Sequence, residues 1–233
     1  MIGFYDYTVI LTYASLLSAG LGIFISLQGE GHPYVGTFFL LFCGLCDAFD
    51  GRVARMKKDR SADECAFGIQ IDSLCDLVSF GVLPACIGEA LIWKSDIADI
   101  PKIHTGKDGF VIPLICILVL VTYILCAMIR LAYFNVMEEK RQKEEGGVRK
   151  MYEGLPVTSA ALIFPLVMLL QFLTPKDLTA LYLAGLMVVG VLFISKIRVK
   201  KPDSKGLWRL ILIGIAEFVL LIGYLVYKRL FGA

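Results

Sequence analysis

The chain has 233 residues, of which 58% are hydrophobic and 19% are charged, and its formal net charge is +2. The mean hydropathy of +0.74 excludes an ordinary soluble domain, in which about a quarter of the residues are charged. We therefore interpret the chain as a polytopic membrane protein and expect no nucleic-acid partner.

Seven apolar segments follow one another along the chain, and a helix needs about 20 residues to cross a bilayer. They cover residues 7–27, 34–46 with a continuation through an aspartate-bearing turn, 67–93, 110–134, 156–173, 178–195 and 207–227. No basic stretch precedes the first segment, so we expect it to be retained as a span. The sequence predicts an all-α bundle of about seven transmembrane helices.

Lysines and arginines are concentrated after the second, fourth and sixth segments. Cytoplasmic loops of membrane proteins carry such an excess of positive charge. We therefore expect a multi-pass protein of the cell membrane in which these three loops face the cytoplasm.

The second and third segments contain four aspartates, although a single carboxylate at membrane depth costs about 2.5 to 3.5 kcal/mol. The residues of interest are Asp47, Asp50, Gly51, Ala54, Arg55, Gly68, Asp72 and Asp76. Residues three and four apart share one face of a helix, so the carboxylates converge if the two faces meet. Because carboxylates favour hard cations over zinc, we expect two divalent ions, Mg²⁺ or Mn²⁺, to balance the four charges.

Two other interpretations of the aspartates stay open. They could pair with the neighbouring arginines and lysines at a solvated helix end, or they could line the path of a cation transporter. Gly51, Ala54 and Gly68 remove side-chain bulk beside the carboxylates. Such space admits a flat ligand against the backbone, which a nucleotide needs and an ion path does not.

The pattern Asp47-x2-Asp50-Gly51-x2-Ala54-Arg55, followed by Gly68-x3-Asp72-x3-Asp76, resembles the signature of the CDP-alcohol phosphotransferases. These integral membrane enzymes move a phosphoalcohol from a CDP-linked donor to an alcohol and release CMP. The resemblance implies a six-helix core, a homodimer and a two-metal site that opens to the cytoplasm. It covers about residues 11–198, so we expect a catalytic core over 1–199 and a linker with one extra transmembrane helix over 200–233.

Four further segments are similar to the phosphatidylserine synthases of that family, namely residues 71–84, 129–136, 154–156 and 194–198. This resemblance implies CDP-diacylglycerol and L-serine as substrates, with phosphatidylserine and CMP as products. Tyr133 and Thr158 differ from the subgroup's usual arginine and proline. Glycerol 3-phosphate, an inositol phosphate or choline as acceptor, and an archaeal ether lipid as donor, therefore stay open as alternatives.

The family resemblance also implies functions for single residues. The metal ligands would be Asp47, Asp50, Asp72 and Asp76, and Asp76 would also accept the proton of the acceptor hydroxyl. The residues that bind CDP-diacylglycerol would be Gly51, Ala54, Arg55 and Gly68.

Arg130 is the main candidate for binding the serine carboxylate, because it lies in an apolar run where an unpaired guanidinium is costly. The alternative is a structural arginine that pairs with a core carboxylate or extends to a helix end. Asn135 and Thr158 could add hydrogen bonds to serine.

Twelve residues separate Arg55 from Gly68, about one helical turn more than the family resemblance leads us to expect. We therefore predict an additional helical turn within residues 56–66.

Overall fold

The computed structural model describes residues 3–29, 31–95, 111–144, 151–174, 177–200 and 203–231. The helices are α1 Ile10–Leu27, α2 Pro33–Met56, α3 Ala62–Asp76, α4 Leu83–Lys94, α5 Val111–Glu144, α6 Ala160–Leu173, α7 Thr179–Ile194 and α8 Ser204–Phe231. A π-helical turn, Leu77–Val82, joins α3 and α4 into one continuous rod, and a 3-10 turn, Val157–Ser159, precedes α6. The predicted all-α bundle is confirmed.

Among the described residues, five helical segments are long and apolar enough to cross a membrane: Ile10–Leu27, Pro33–Met56, Ala62–Lys94, Pro113–Arg141 and Lys205–Gly223. Two shorter apolar helices, Val157–Gln171 and Thr179–Ile194, account for the remaining predicted segments. Large apolar side chains point outward, among them Leu17, Phe24 and Leu212 with 70%, 77% and 62% exposure. Lipid tails can cover such a surface, so the chain is a multi-pass membrane protein.

Aromatic side chains occupy the middle of the bundle. Tyr123 packs edge to face on Phe164, with 5.6 Å between ring centroids, and Phe164 packs on Tyr182 at 5.1 Å. The Tyr123 hydroxyl donates to the Phe80 carbonyl at 2.7 Å, and the Tyr182 hydroxyl donates to the Pro84 carbonyl at 3.0 Å. Buried hydroxyls need such partners. These two bonds attach the π-helical turn and the start of α4 to α5 and α7.

Glycines let α2 pack closely between its neighbours. A Cβ added at Gly44 would lie 2.5 Å from the Ala161 Cβ of α6, and one added at Gly22 of α1 would lie 2.8 Å from the Phe39 Cβ of α2. Small residues at helix contacts are typical of membrane bundles, because they allow backbones to approach. The position of α2 is therefore fixed from both sides.

A short antiparallel ribbon joins the segments that flank α6 and α7. It pairs β1 (Met151–Glu153) with β2 (Arg198–Lys200). The Gly154 amide donates to the Ile197 carbonyl at 2.8 Å and the Leu155 amide donates to the Leu192 carbonyl at 3.0 Å. The ribbon thus brings together two segments, 154–156 and 194–198, that are far apart in sequence.

The last helix, α8, packs on α2 and α6. Phe218 of α8 stacks on Phe38 with 4.6 Å between centroids, and Trp208 meets Phe49 at 6.5 Å. The division into a core over 1–199 and an extra segment over 200–233 remains a prediction.

Candidate active site

Three carboxylates converge where α2 and α3 approach each other. One oxygen atom from each of Asp47, Asp50 and Asp72 lies within 4.8 Å of the other two. Asp50 is 8% exposed, and the other two side chains are half-buried. The spacing of three residues places Asp47 and Asp50 on one face of α2. This face meets the face of α3 on which Asp72 lies.

Asp76 lies one helical turn beyond Asp72, at the last residue of α3. It is not a member of the group of three, although its carboxylate interacts electrostatically with those of Asp47, Asp50 and Asp72. The π-helical turn begins at the next residue, Leu77. Single π-helical turns occur frequently at functional sites, and this one fixes the direction in which the rod continues beyond the carboxylates.

Within the described part of the chain, none of these four aspartates lies within 4.0 Å of a lysine or arginine nitrogen. Lys57 binds Asp6 at 2.6 Å and Glu64 at 2.9 Å instead. The interpretation as a solvated helix end with paired charges is thus not supported. A set of carboxylate oxygens that makes no salt bridge in the described part of the chain suits a hard divalent cation.

Guanidinium groups lie beside the two glycines of the predicted donor site. A Cβ added at Gly51 would lie 3.4 Å from Arg55 Nη1, and one added at Gly68 would lie 2.6 Å from Arg60 Nη2. Ala54 lies on the same side of α2 and is half-buried. The sequence analysis singled out Arg55 but not Arg60. Arg60 could have been found in the sequence from its position among the twelve residues that separate the two halves of the signature.

The connection between α2 and α3 is short and partly helical, and a turn additional to the family's pattern stays a prediction. α2 ends at Met56 and α3 begins at Ala62, so α3 starts within the 56–66 segment. The Glu64 amide donates to Ser61 Oγ at 3.1 Å, and the Ser61 amide donates to Glu64 Oε2 at 2.8 Å. This reciprocal capping box satisfies two amides at the start of α3.

Residues before α1 pack against this connection. Lys57 and Thr8 both donate hydrogen bonds to the Asp6 carboxylate, which lowers the pKa of Asp6 to about 2. The two acidic partners in turn raise the pKa of Lys57. Phe4 packs edge to face on Phe67, next to Gly68, with 5.4 Å between centroids. The chain start and the beginning of α3 are therefore held together by ionised groups and by an aromatic contact.

The three candidates for binding serine have different surroundings. Arg130 is 6% exposed, its Nε donates to the Leu155 carbonyl at 3.2 Å, and its guanidinium lies 5.1 Å from the centroid of the Phe134 ring. Asn135 Nδ2 donates to Ser73 Oγ at 2.7 Å, so Asn135 contacts the residue that follows Asp72. Thr158 lies in the 3-10 turn and is half-buried. Arg130 thus holds the 154–156 segment, and its function towards serine stays a prediction.

Residues 8–195 match the family described as CDP-alcohol phosphatidyltransferase. The CDP-diacylglycerol–serine O-phosphatidyltransferase of Saccharomyces cerevisiae is 36% identical over 141 residues, which are 59% of this chain and 43% of the yeast protein. The archaetidylserine synthase of Methanothermobacter thermautotrophicus is 32% identical over 193 residues, 82% of this chain and 70% of that protein. The CDP-diacylglycerol–serine O-phosphatidyltransferase of Bacillus subtilis is 28% identical over 168 residues, 72% and 76% of the two chains.

Proposed function

Because this chain belongs to the CDP-alcohol phosphatidyltransferase family, we propose that it transfers the phosphatidyl group of CDP-diacylglycerol to the hydroxyl of L-serine. The products are phosphatidylserine and CMP. The observation that carries this proposal is the convergence of Asp47, Asp50 and Asp72. The names of the yeast and Bacillus relatives, which specify serine, support serine over glycerol 3-phosphate, an inositol phosphate or choline.

The site holds two divalent cations, Mg²⁺ or Mn²⁺, in this proposal. Their ligands are Asp47, Asp50, Asp72 and Asp76. The donor set fits such ions, because it consists of carboxylate oxygens that make no salt bridge within 4.0 Å among the described residues. When bound, the ions neutralise charge on the donor diphosphate and so make CMP a competent leaving group.

Asp76 is the general base. The serine hydroxyl oxygen forms a bond to the phosphorus that bears diacylglycerol, the bond from that phosphorus to CMP breaks, and the hydroxyl proton moves to the Asp76 carboxylate. Asp76 lies one turn farther along α3 than Asp72, and its carboxylate interacts electrostatically with those of the other three aspartates. The function of Asp76 as the base is the one that the family resemblance implies.

The substrate contacts follow from the space around the carboxylates. The donor is bound by Gly51, Ala54, Arg55 and Gly68, and serine is bound by Arg130, Asn135 and Thr158. Support for Asn135 comes from its hydrogen bond to Ser73, next to a metal ligand. Support for Arg130 comes from its hydrogen bond to the carbonyl of Leu155, a residue that lies three positions before Thr158 in sequence.

We also propose an oligomeric state, a membrane and an orientation for the enzyme. The protein is a homodimer of the cell membrane, with its site facing the cytoplasm and with residues 200–233 as a linker and extra span. The excess of lysine and arginine in the connections near the site supports this orientation.

A second candidate has the same acceptor and a different donor. The archaeal relative is named archaetidylserine synthase, which favours an ether lipid linked to CDP as the alternative to CDP-diacylglycerol. Both donors present the same cytidine and diphosphate to the carboxylates, so the proposed chemistry is the same.

The test is CMP release by the purified protein in detergent with either donor and a panel of acceptors. We expect release that depends on serine and that stays at background with glycerol 3-phosphate, inositol phosphate or choline. Release with another acceptor and not with serine would contradict the proposed acceptor. No CMP release with any acceptor would contradict the transferase and would favour the cation transporter.

A further inference from the structure

Arg60 has an unusual environment for a basic residue at a helix start. Its Nη2 lies so close to Gly68 that an added Cβ would approach it to 2.6 Å. That nitrogen donates to the Glu64 carbonyl at 3.1 Å. Its Nε is buried and has no hydrogen-bond acceptor among the described residues. A buried donor without an acceptor is uncommon in proteins and calls for an explanation.

The Glu64 carbonyl that accepts from Arg60 holds the guanidinium only weakly. Glu64 lies in the first turn of α3, and its carbonyl is the regular helical acceptor for the amide four residues later, which belongs to Gly68. Arg60 therefore shares this oxygen with the helix. A guanidinium offers five N–H donors in a planar fork, and an anion with several oxygens would satisfy more of them than one shared carbonyl.

The other basic residues of the connection have different contacts. The Arg52 guanidinium lies 5.9 Å from the centroids of the Phe49 and Trp208 rings. Lys57 is bonded to two carboxylates. Lys58 is exposed. Of the five cations between positions 52 and 60, only Arg55 and Arg60 border the two glycines of the proposed donor site.

We propose that Arg60 is a second arginine of the donor site, whose guanidinium leaves the face of Gly68 and binds the diphosphate of the CDP-linked donor. This inference rests on the proposed function, since it places the nucleotide beside Gly51 and Gly68. The movement exchanges a shared carbonyl for phosphate oxygens and gives the buried Nε an acceptor. It also frees the space beside Gly68 for the nucleotide.

In this proposal Arg60 gives the connection between α2 and α3 a function. Arg60 lies among the twelve residues between Arg55 and Gly68, directly before the cap residue Ser61. Glu64, in the first turn of α3, supplies the carbonyl that accepts the hydrogen bond from Arg60. Arg55 from α2 and Arg60 from the connection would approach the diphosphate from the two halves of the signature.

The experiment measures CDP affinity by calorimetry on the purified full-length protein in detergent with Mg²⁺. We expect Arg60→Ala to weaken CDP binding about 10-fold to 150-fold, the usual effect of losing a charged hydrogen bond. Arg60→Lys should bind several-fold more weakly than the native protein, because lysine keeps the charge but loses the fork. Lys58→Ala, which removes an equal charge two residues away, should stay within about twofold, as an exposed charge contributes little.

Two further readouts separate binding from a structural effect. With the donor varied, Arg60→Ala should raise the KM for CDP-diacylglycerol and leave the KM for serine unchanged. Thermal unfolding should give similar Tm values for Arg60→Ala and Lys58→Ala. If Arg60→Ala lowers the Tm strongly, Arg60→Lys is the variant to measure, provided that its Tm is native. Weaker CDP binding by Arg60→Lys supports the inference, and native CDP affinity in that variant contradicts it.

The outcomes distinguish this inference from the proposed function. Native CDP affinity in Arg60→Ala, or an equal loss in Lys58→Ala, would overturn the function of Arg60 and leave the transferase intact. If Arg60→Ala instead loses only binding to phosphatidylglycerol micelles, the arginine contacts lipid headgroups and the inference is wrong. If the native protein binds CDP through Arg60 but releases no CMP with serine, the inference stands and the proposed acceptor falls.

Discussion

Four acidic residues of one site have two different surroundings. Asp47, Asp50 and Asp72 offer oxygens within 4.8 Å of one another, whereas Asp76 lies one turn away along α3. A carboxylate within a tight cluster is suited to sharing a cation, and one at its edge is suited to meeting a substrate hydroxyl. We therefore expect substitutions in the two places to affect different steps.

Asp76→Asn should separate the base from the ligands. We expect this variant to lose about 100-fold or more in kcat, the usual contribution of a general base, and to keep most of its affinity for CDP. Asp50→Asn should lose both kcat and CDP affinity. Calorimetry in detergent and initial rates measure the two effects, and an equal collapse of affinity in both variants would make Asp76 a plain ligand.

Arg130→Lys tests how serine is recognised. If the guanidinium pairs with the serine carboxylate, the KM for serine should rise about 10-fold or more while the KM for CDP-diacylglycerol is nearly unchanged. Ethanolamine lacks the carboxylate, so it should be a poor acceptor that the substitution does not penalise further. The hydrogen bond from Arg130 Nε to the Leu155 carbonyl provides the competing account. On that account the Tm falls and neither KM moves.

At the scale of elements, the short ribbon and the π-helical turn set the geometry around the site. Gly154 has a φ of +77°, a left-handed backbone conformation that residues other than glycine rarely adopt. A Cβ there would also lie 2.6 Å from the Phe193 carbonyl oxygen and 3.3 Å from Arg130 Nε. The connection from β1 to α6 therefore depends on this glycine.

Gly154→Ala should destabilise the protein. Strained backbone of this kind costs about 1 to 3 kcal/mol, which corresponds to a fall in Tm of roughly 2 to 12 °C for a chain of this size. Gly20→Ala in α1 is the matched control, because nothing lies within 4 Å of a Cβ added there. We expect the control to keep its Tm or to gain slightly. Equal Tm values for the two variants, measured by thermal unfolding in detergent, would show that the ribbon tolerates a side chain.

The helices could be predicted from the sequence, whereas the ribbon of β1 and β2 and the π-helical turn could not. A long apolar run predicts a membrane helix from its composition alone. Strands of three residues have no usable periodicity, and the ribbon depends on Gly154 meeting Ile197 across two intervening helices. The π-helical turn likewise depends on the Tyr123 hydroxyl from α5.

The candidate site was likewise only partly predictable from the sequence. Spacing placed Asp47 with Asp50 on one face of α2, and Asp72 with Asp76 on one face of α3. It could not reveal that an oxygen of Asp72 lies within 4.8 Å of oxygens from both α2 carboxylates. It also could not place Arg60 beside Gly68, since that contact depends on where the connection turns.

At the scale of the whole molecule, the orientation in the membrane decides which substrates reach the site. Cys65 offers a probe, because it is exposed in the first turns of α3 while the other six cysteines are buried or half-buried. The site opens to the cytoplasm in our proposal, so Cys65 should lie on that side.

A membrane-impermeant maleimide should therefore label the protein in inside-out vesicles and leave it unlabelled in intact cells. Cys65→Ser is the control and should abolish the labelling of vesicles. Labelling of Cys65 in intact cells would place the site on the outer side and contradict the orientation derived from the basic loops.

In the proposed function, clustered aspartates with divalent cations transfer a phosphatidyl group to serine. The most direct measurement is incorporation of radiolabelled serine into lipid by the purified protein with CDP-diacylglycerol. We expect incorporation with Mg²⁺ or Mn²⁺, none in EDTA, and none in Asp47→Asn, Asp50→Asn or Asp72→Asn. These variants should still insert into the membrane, since neutralising a buried carboxylate lowers its insertion cost. Full incorporation in EDTA, or in any two of the variants, would contradict the account.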